Sequence, residues 1–278
     1  HSTIDYTCSS TQISGMSKNA FESYLFKDGK PMALTSLNKS DEAPFQYGHL
    51  SLKDILAVRD KRLGQTIDTV LLYNGRGFTR FNTGMESTSS TGYGVAKYDN
   101  EAIPEGFRSQ SGKNYTHAPL FWLSVIYLNY AEACAELGNI TQDDLDKSIN
   151  LLKDRAGLPH LNPIVGFSDP ANNHGVSDLI WEIRRERRCE LMFDNDNRYW
   201  DLIRWHQLDK LDTTKYPDII LGANVANDMD GCEANKVGKY IDGSKDGSRI
   251  YDKKHYLYPI PTGQIALNPQ LAPNNPGW

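Results

Sequence analysis

The stretch Leu120-Phe-Trp-Leu-Ser-Val-Ile-Tyr-Leu-Asn-Tyr-Ala-Glu-Ala-Cys134, followed by Gly138 and then Thr141-Gln-Asp-Asp-Leu-Asp-Lys-Ser-Ile-Asn-Leu-Leu152, decides the fold. Leu120, Leu123, Tyr127, Tyr130, Ala131 and Cys134 recur at helical spacing, and Gly138 is a stop. Thr141 with Asp144 reads as a capping box. It opens a helix with Leu145, Ile149 and Leu152 on one face, closed by Gly157 and Pro159. The turn between the two helices is very short, so they form a helical hairpin. A second pair follows. Ser177 can cap a helix running to about Phe193, the run Asp194-Asn-Asp-Asn197 breaks it, and a fourth helix spans Arg198 to about Leu211. Each pair has the size of a tetratricopeptide-type repeat. Stacked pairs need neighbours to bury their faces, so further helices are expected upstream.

Outward from these hairpins the texture changes. Residues 1–117 are rich in Gly, Ser, Thr and Asn, with one short candidate helix (Leu52 to Asp60) and a candidate strand, Thr69-Val-Leu-Leu-Tyr73. Residues 118–212 hold the hairpins. Residues 213–278 return to loops, and the last 20 residues carry Pro259, Pro261, Pro269, Pro273 and Pro276. That density argues against helix and for an extended tail lying on the body. The expected fold is mainly α: tetratricopeptide-like hairpins, a loop-rich and partly β ligand-facing region, and an extended proline-rich C-terminal tail.

Composition bounds the chemistry. The 278 residues carry a net charge of −5, which argues against a nucleic-acid partner. No apolar run is long enough for a membrane-spanning helix. The chain opens His-Ser-Thr-Ile, so an export signal or lipid anchor would lie upstream. Cys8, Cys134, Cys189 and Cys232 are too scattered for a zinc ribbon or redox motif, and each reads as a small buried side chain. No nucleophile elbow, H-E-x-x-H or phosphate loop is present, and the seven histidines never lie three to five apart. The run Asp242-Gly-Ser-Lys-Asp-Gly247 copies half a calcium loop, but Lys253 stands where the bidentate Glu belongs. No catalytic residue, metal or cofactor is expected.

Two features remain. From Glu182 to Glu190 seven of nine residues are charged, and some lie on the packing side. Such charges persist when paired, so the expected role is an ion-pair lattice between helices. The other feature is a ring-rich, glycine-rich stretch holding Tyr73, Asn74, Arg76, Phe78, Arg80, Phe81 and Tyr93. Aromatic faces beside planar polar groups suit sugar rings and their hydroxyls, so these seven are the candidate ligand contacts. Trp122, Trp200 and Trp205 read as packing residues instead.

Several segments resemble SusD/RagB-like proteins. The tail Tyr258-Pro-Ile-Pro, Asn268-Pro-Gln-Leu271 and Asn274-Asn-Pro-Gly-Trp278 is similar to that family's C-terminal end. Tyr127-Leu-Asn-Tyr-Ala-Glu-Ala133, Lys153-Asp-Arg-Ala-Gly157, Glu186-Arg-Arg-Cys-Glu-Leu191 and Arg198-Tyr-Trp-Asp-Leu-Ile-Arg-Trp205 resemble its helical motifs. Asp28-Gly-Lys30 and Arg59-Asp-Lys-Arg-Leu63 resemble its middle region. Departures are the missing R-x-A-E element around Trp122 to Val125, Gln264 for Glu and Trp278 for Tyr. The resemblance implies the C-terminal half of a cell-surface lipoprotein of the outer membrane, anchored through an N-terminal lipid not present in this chain. It implies a non-enzymatic receptor that binds an oligosaccharide or polysaccharide and passes it to a SusC-like TonB-dependent transporter. A peptide-binding RagB-like receptor and a helical-repeat adaptor for another protein are the alternatives.

Overall fold

The computed structural model describes residues 15–37, 51–73, 89–97, 103, 104, 107, 110, 113, 119–194, 197–244 and 247–278. Helices α1 (Lys18–Ser23), α2 (Lys53–Leu56) and α3 (Lys61–Thr66) come first. The hairpin region supplies α4 (Leu123–Glu136), α5 (Gln142–Asp146), α6 (Ile149–Ala156), α7 (Asp178–Glu190) and α8 (Asn197–Arg204). Strands β1 (Leu221–Asn224), β2 (Lys236–Val237) and β3 (Tyr240–Asp242) form an antiparallel sheet in the order β1-β3-β2. Leu221 faces Asp242, Asn224 faces Tyr240, and the register shifts between them. Helix α9 (Thr262–Leu267) lies in the tail. The chain is mainly α, with helical hairpins and a small sheet.

Local chemistry sets the helix ends. The Thr141 side chain accepts from the Asp144 N–H, and the Asp144 carboxylate accepts from the Thr141 N–H at 2.9 Å, which is the expected capping box. Gly157 ends α6 at φ +70°, a left-handed conformation that costs glycine little. The helix expected to run on from Thr141 is split into α5 and α6. At the break the Ser148 hydroxyl donates to the Asp144 carbonyl at 2.6 Å and the Ser148 backbone leaves helical values. The fourth helix also stops early. His206 sits at φ +52°, so α8 ends at Arg204 and a 3-10 turn, Leu208–Leu211, follows. Upstream, Asp60 caps a helix that the sequence reading missed, α3, by accepting from the Arg62 N–H at 2.9 Å. The candidate strand at 69–73 is realised as single bridges, Ser51 to Val70 and Leu72 to Gly92.

The described core has two main parts. One gathers Phe21, Tyr24, Phe26, Leu63, Ile67 and Tyr93 with Ala223, Val225 and Ile241 of the sheet region. The other gathers Leu128 and Ala131 of α4, Leu145, Ile149 and Leu152, and Ile183 and Leu191. Helix α7 belongs to both, through Cys189 and Ile183. The stripe expected to bury α4 is partly reversed. Leu128, Ala131 and Glu132 are buried, whereas Leu123 and Tyr130 are 63% and 45% exposed. Ile126 and Leu137 are exposed beside them, so α4 is apolar on both sides and periodicity alone could not choose a face. Trp200 is likewise corrected from packing to 58% exposed.

The proline-rich tail is tied to the body near its start. The Leu208 N–H donates to the Tyr256 hydroxyl at 3.1 Å, and the Tyr199 and Tyr258 hydroxyls share a bond of 2.9 Å. Beyond Tyr258 it closes on itself. The Ile260 N–H donates to Asn274 Oδ1 at 2.7 Å, Asn275 Nδ2 donates to the Tyr258 carbonyl at 2.6 Å, and Trp278 Nε1 donates to the Leu257 carbonyl at 2.8 Å. The expectation that its prolines bar any helix is corrected at α9. Pro261 sits at the N-cap of α9, and Pro269 opens the next 3-10 turn. Proline disrupts helix interiors, not these positions.

Candidate functional site

Helix α7 carries the expected ion-pair lattice. Arg62 Nη1 reaches Glu186 at 2.5 Å and Glu190 at 2.9 Å, while its Nη2 holds Asp60 at 2.7 Å. Lys153 Nζ adds a contact of 3.3 Å to Glu186, and Arg155 a contact of 2.5 Å to Glu190. Burial alone would raise the Glu186 carboxyl. Arg62 and Lys153 outweigh it and bring the pKa down to about 2. Arg187 holds Asp201 at 2.7 Å. The Glu132 carboxylate of α4 accepts from Arg204 Nη2 and from Trp205 Nε1, each at 2.6 Å. Residues 60, 62, 132, 153, 186, 187, 190, 201, 204 and 205 come from separate motif segments. They are partners of one another, so the motif chemistry is structural.

A different balance holds on the side of α7 that meets α1 and α8. There a cavity of about 450 Å³ opens between α1, α7, α8 and the 3-10 turn Leu208–Leu211. Arg188, Arg198 and Lys210 line it from three different elements. Arg188 donates to the neutral Asn19 Oδ1 at 2.7 Å. Arg198 lies over the Trp205 ring at 5.9 Å and Lys210 over the Trp181 ring at 4.6 Å. Among the described residues, no carboxylate lies within ion-pair distance of these three. Glu22, Asp169 and Asp218 also line the cavity, and they and Asp209 are engaged elsewhere. Asp169 takes Arg185 and accepts from Trp181 Nε1 at 3.0 Å, Asp218 accepts from Asn19 Nδ2 at 2.6 Å, Glu22 pairs with Lys18, and Asp209 shares a hydrogen bond of 3.3 Å with His174, whose pKa burial lowers. Burial, then the charges of Arg198 and Arg188, bring the Lys210 pKa down to about 7. Burial and then Arg188 bring Arg198 down to about 9, so it stays charged at neutral pH. The cavity therefore holds net positive charge at close quarters.

A second groove, of about 490 Å³, is lined by Glu132, Glu136, Arg184, Arg204 and Trp205. Its charges are matched: Arg204 with Glu132, and Arg184 with Glu136 at 3.0 Å. Among the described residues no cluster of three or more His, Cys, Asp or Glu could hold a metal ion. No helix there is long and apolar enough to cross a membrane. Cys189 and Cys232 are buried free thiols and Cys134 a half-buried one, while Cys8 lies outside the described residues.

Of the seven candidate ligand contacts, the structure places two. Tyr73 and Tyr93 are 1% and 0% exposed, so neither ring has a face open to a sugar, which corrects their reading as protruding groups. The Tyr73 hydroxyl donates to Asp228 at 2.5 Å, and Tyr93 stacks on Phe21 with centroids 4.5 Å apart. The glycines explain the error. A Cβ at Gly94 would stand 2.7 Å from Leu72 Cδ1, so Gly94 makes room for a packed side chain rather than for a protruding loop. Asn74, Arg76, Phe78, Arg80 and Phe81 lie outside the described residues. The sequence reading missed Arg198 and Lys210 as site residues. The sequence holds no signal for them, since seven basic and six acidic side chains nearly balance between 184 and 210.

The sequence model of the SusD family matches residues 5–278. No curated protein sequence matches the chain. Among solved structures it is similar to a SusD-like protein, BF3747, from Bacteroides fragilis NCTC 9343. That match has 23% identity and a TM-score of 0.55, and covers 95% of this chain and 47% of the other. It is also similar to BT4246, with 22% identity and a TM-score of 0.61, over 94% of this chain and 44% of the other. The chain thus spans less than half the length of these two solved structures. At these identities the structures establish a shared fold. With residues 5–278 matched by the family model and the lattice formed by the motif residues, the chain belongs to the SusD family.

Proposed function

We propose that this chain is part of a cell-surface nutrient receptor that binds a glycan without altering it and passes it to a TonB-dependent transporter of the outer membrane. The match of the SusD family model over residues 5–278 carries this reading. The 450 Å³ cavity supports it, being within the size range of small-ligand sites. In this reading an upstream lipid anchor holds the protein at the outer membrane. The proposed saccharide contacts in the 74–81 segment are Phe78 and Phe81 for ring stacking and Asn74, Arg76 and Arg80 for hydroxyls.

Calorimetry and affinity electrophoresis against a panel of polysaccharides and peptides test the proposal. The expected result is saturable binding of at least one glycan, weakened at least tenfold by Phe78→Ala with Phe81→Ala. Binding of peptides alone favours the peptide-receptor reading. Failure of every glycan overturns the proposal. Co-purification of a TonB-dependent transporter with the tagged protein from its native membrane tests the partner.

A further inference from the structure

We propose that the cavity bounded by Arg188, Arg198 and Lys210 receives the acidic group of a negatively charged saccharide, a uronate carboxylate or a sulfate ester. The inference rests on the glycan-binding reading above and adds the charge of the ligand.

Cations of one sign do not gather in a partly desolvated cavity without cost, because each is denied water and repels the others. Elsewhere on α7 the protein meets that cost with a carboxylate. Arg185 has Asp169 and Glu182, Arg187 has Asp201, and Arg184 has Glu136. Arg188 has a neutral amide instead, and Arg198 and Lys210 lie over the faces of Trp205 and Trp181, while Asp218, Asp201 and Asp209 act on the three only from beyond ion-pair distance. The three come from α7, α8 and the following 3-10 turn, so they converge by tertiary arrangement and not by sequence adjacency. An anion entering the cavity would be the missing counter-charge.

Ligand class follows from geometry and from the walls. Guanidinium forks and an ammonium match the oxygens of carboxylate and sulfate groups. Gln207 and Tyr216 also line the cavity and can meet sugar hydroxyls. A volume of about 450 Å³ accommodates a small ligand or one end of a longer chain. A nucleic acid is a poor fit, since the chain as a whole carries −5.

The test is calorimetric titration of the 278-residue chain with oligogalacturonate, alginate and chondroitin sulfate oligosaccharides. The uronates are each run beside their carboxyl-reduced neutral form, chondroitin sulfate beside its desulfated form, and sodium sulfate is run alone. At least one acidic oligosaccharide should bind tenfold or more tightly than its neutralised form. Arg198→Met and Lys210→Met should each remove most of that preference while leaving the weak binding of the neutral form. Denaturant unfolding of both variants confirms that they fold. Equal affinity for acidic and neutralised forms overturns the inference, as does a preference that survives both substitutions. Sulfate ion binding as tightly as the sulfated sugar also overturns it, because the site would then be an ion site only. Neutral glycans that bind with no gain from the acid leave the glycan-receptor proposal standing and remove only this inference. Absence of binding by every saccharide, acidic or neutral, removes both.

Discussion

The two charged sides of α7 differ in one respect. Toward α3 and α6, Glu186 and Glu190 meet Arg62, Lys153 and Arg155, and each charge has its opposite within 3.3 Å. Toward α1 and α8, Arg188, Arg198 and Lys210 line one cavity, and among the described residues no carboxylate comes within ion-pair distance of them, with Asp209 favouring the Lys210 charge only from farther off. Both sides are dense in arginine. What separates them is whether the partner is supplied by the fold. A cation already paired inside the protein is part of the scaffold. A cation held out of water without a partner is available to a ligand, at a standing cost to stability.

Breaking the matched side should have the largest effect. Glu186→Ala leaves Arg62 and Lys153 buried with one carboxylate fewer, so it should cost about 3–5 kcal/mol in denaturant unfolding. The same carboxyl shapes acid stability. Its folded pKa of about 2 lies below its ordinary value of 4.5. Its contribution is therefore complete above about pH 4.5 and is lost as pH falls toward 2. Glu186→Gln should flatten that part of the acid-unfolding curve, and an unchanged curve would contradict the assignment.

The unmatched side should respond with the opposite sign and a smaller size. Lys210 has a folded pKa of about 7 against its ordinary 10.5, so the folded state disfavours its proton. Burial, then Arg198 of α8 and Arg188 and Arg184 of α7, oppose the charge, while Asp209 favours it. The penalty is full below about pH 7 and is relieved as pH rises toward 10.5. Lys210→Met should raise stability at neutral pH and abolish the rise above pH 7. A loss of stability at pH 7 would place Lys210 in the scaffold.

The smallest effect is expected where both charges are in water. Lys147 and Asp143 form an i,i+4 pair at side-chain exposures of 68% and 69%. Lys147→Ala should leave the unfolding midpoint where it is. A measurable drop would mean that matching alone, without burial, confers stability here.

How much of this was legible in the sequence follows the range of each interaction. The capping box at Thr141, the Gly157 stop and the Ser177 cap are local, and the structure has them. The lattice was legible as a role, because seven charges in nine residues beside a packing face must be paired. Its partners were not, since Arg62 lies 124 residues from Glu186. The same distance hid the cavity: only the tertiary fold shows that, among the described residues, no acid comes within ion-pair distance of Arg198. Tyr73 and Tyr93 were misread because glycine has two uses. Here Gly92 at φ +84° and Gly94 against Leu72 leave room for packed side chains, where a flexible loop was expected. The two-sided apolar character of α4 left its inward face undecided, and contact with α7 decides it.

The distinction between matched and unmatched cations is tested most directly by one paired measurement, equilibrium unfolding of Arg62→Met and Arg198→Met at pH 7. Arg62→Met should lose several kcal/mol, about 3–5 by comparison with other broken buried pairs, because Asp60, Glu186 and Glu190 lose their shared cation. Arg198→Met should be as stable as the parent or more so. Equal losses in the two variants would show that Arg198 belongs to the scaffold as much as Arg62 does, and the account of the cavity would be wrong.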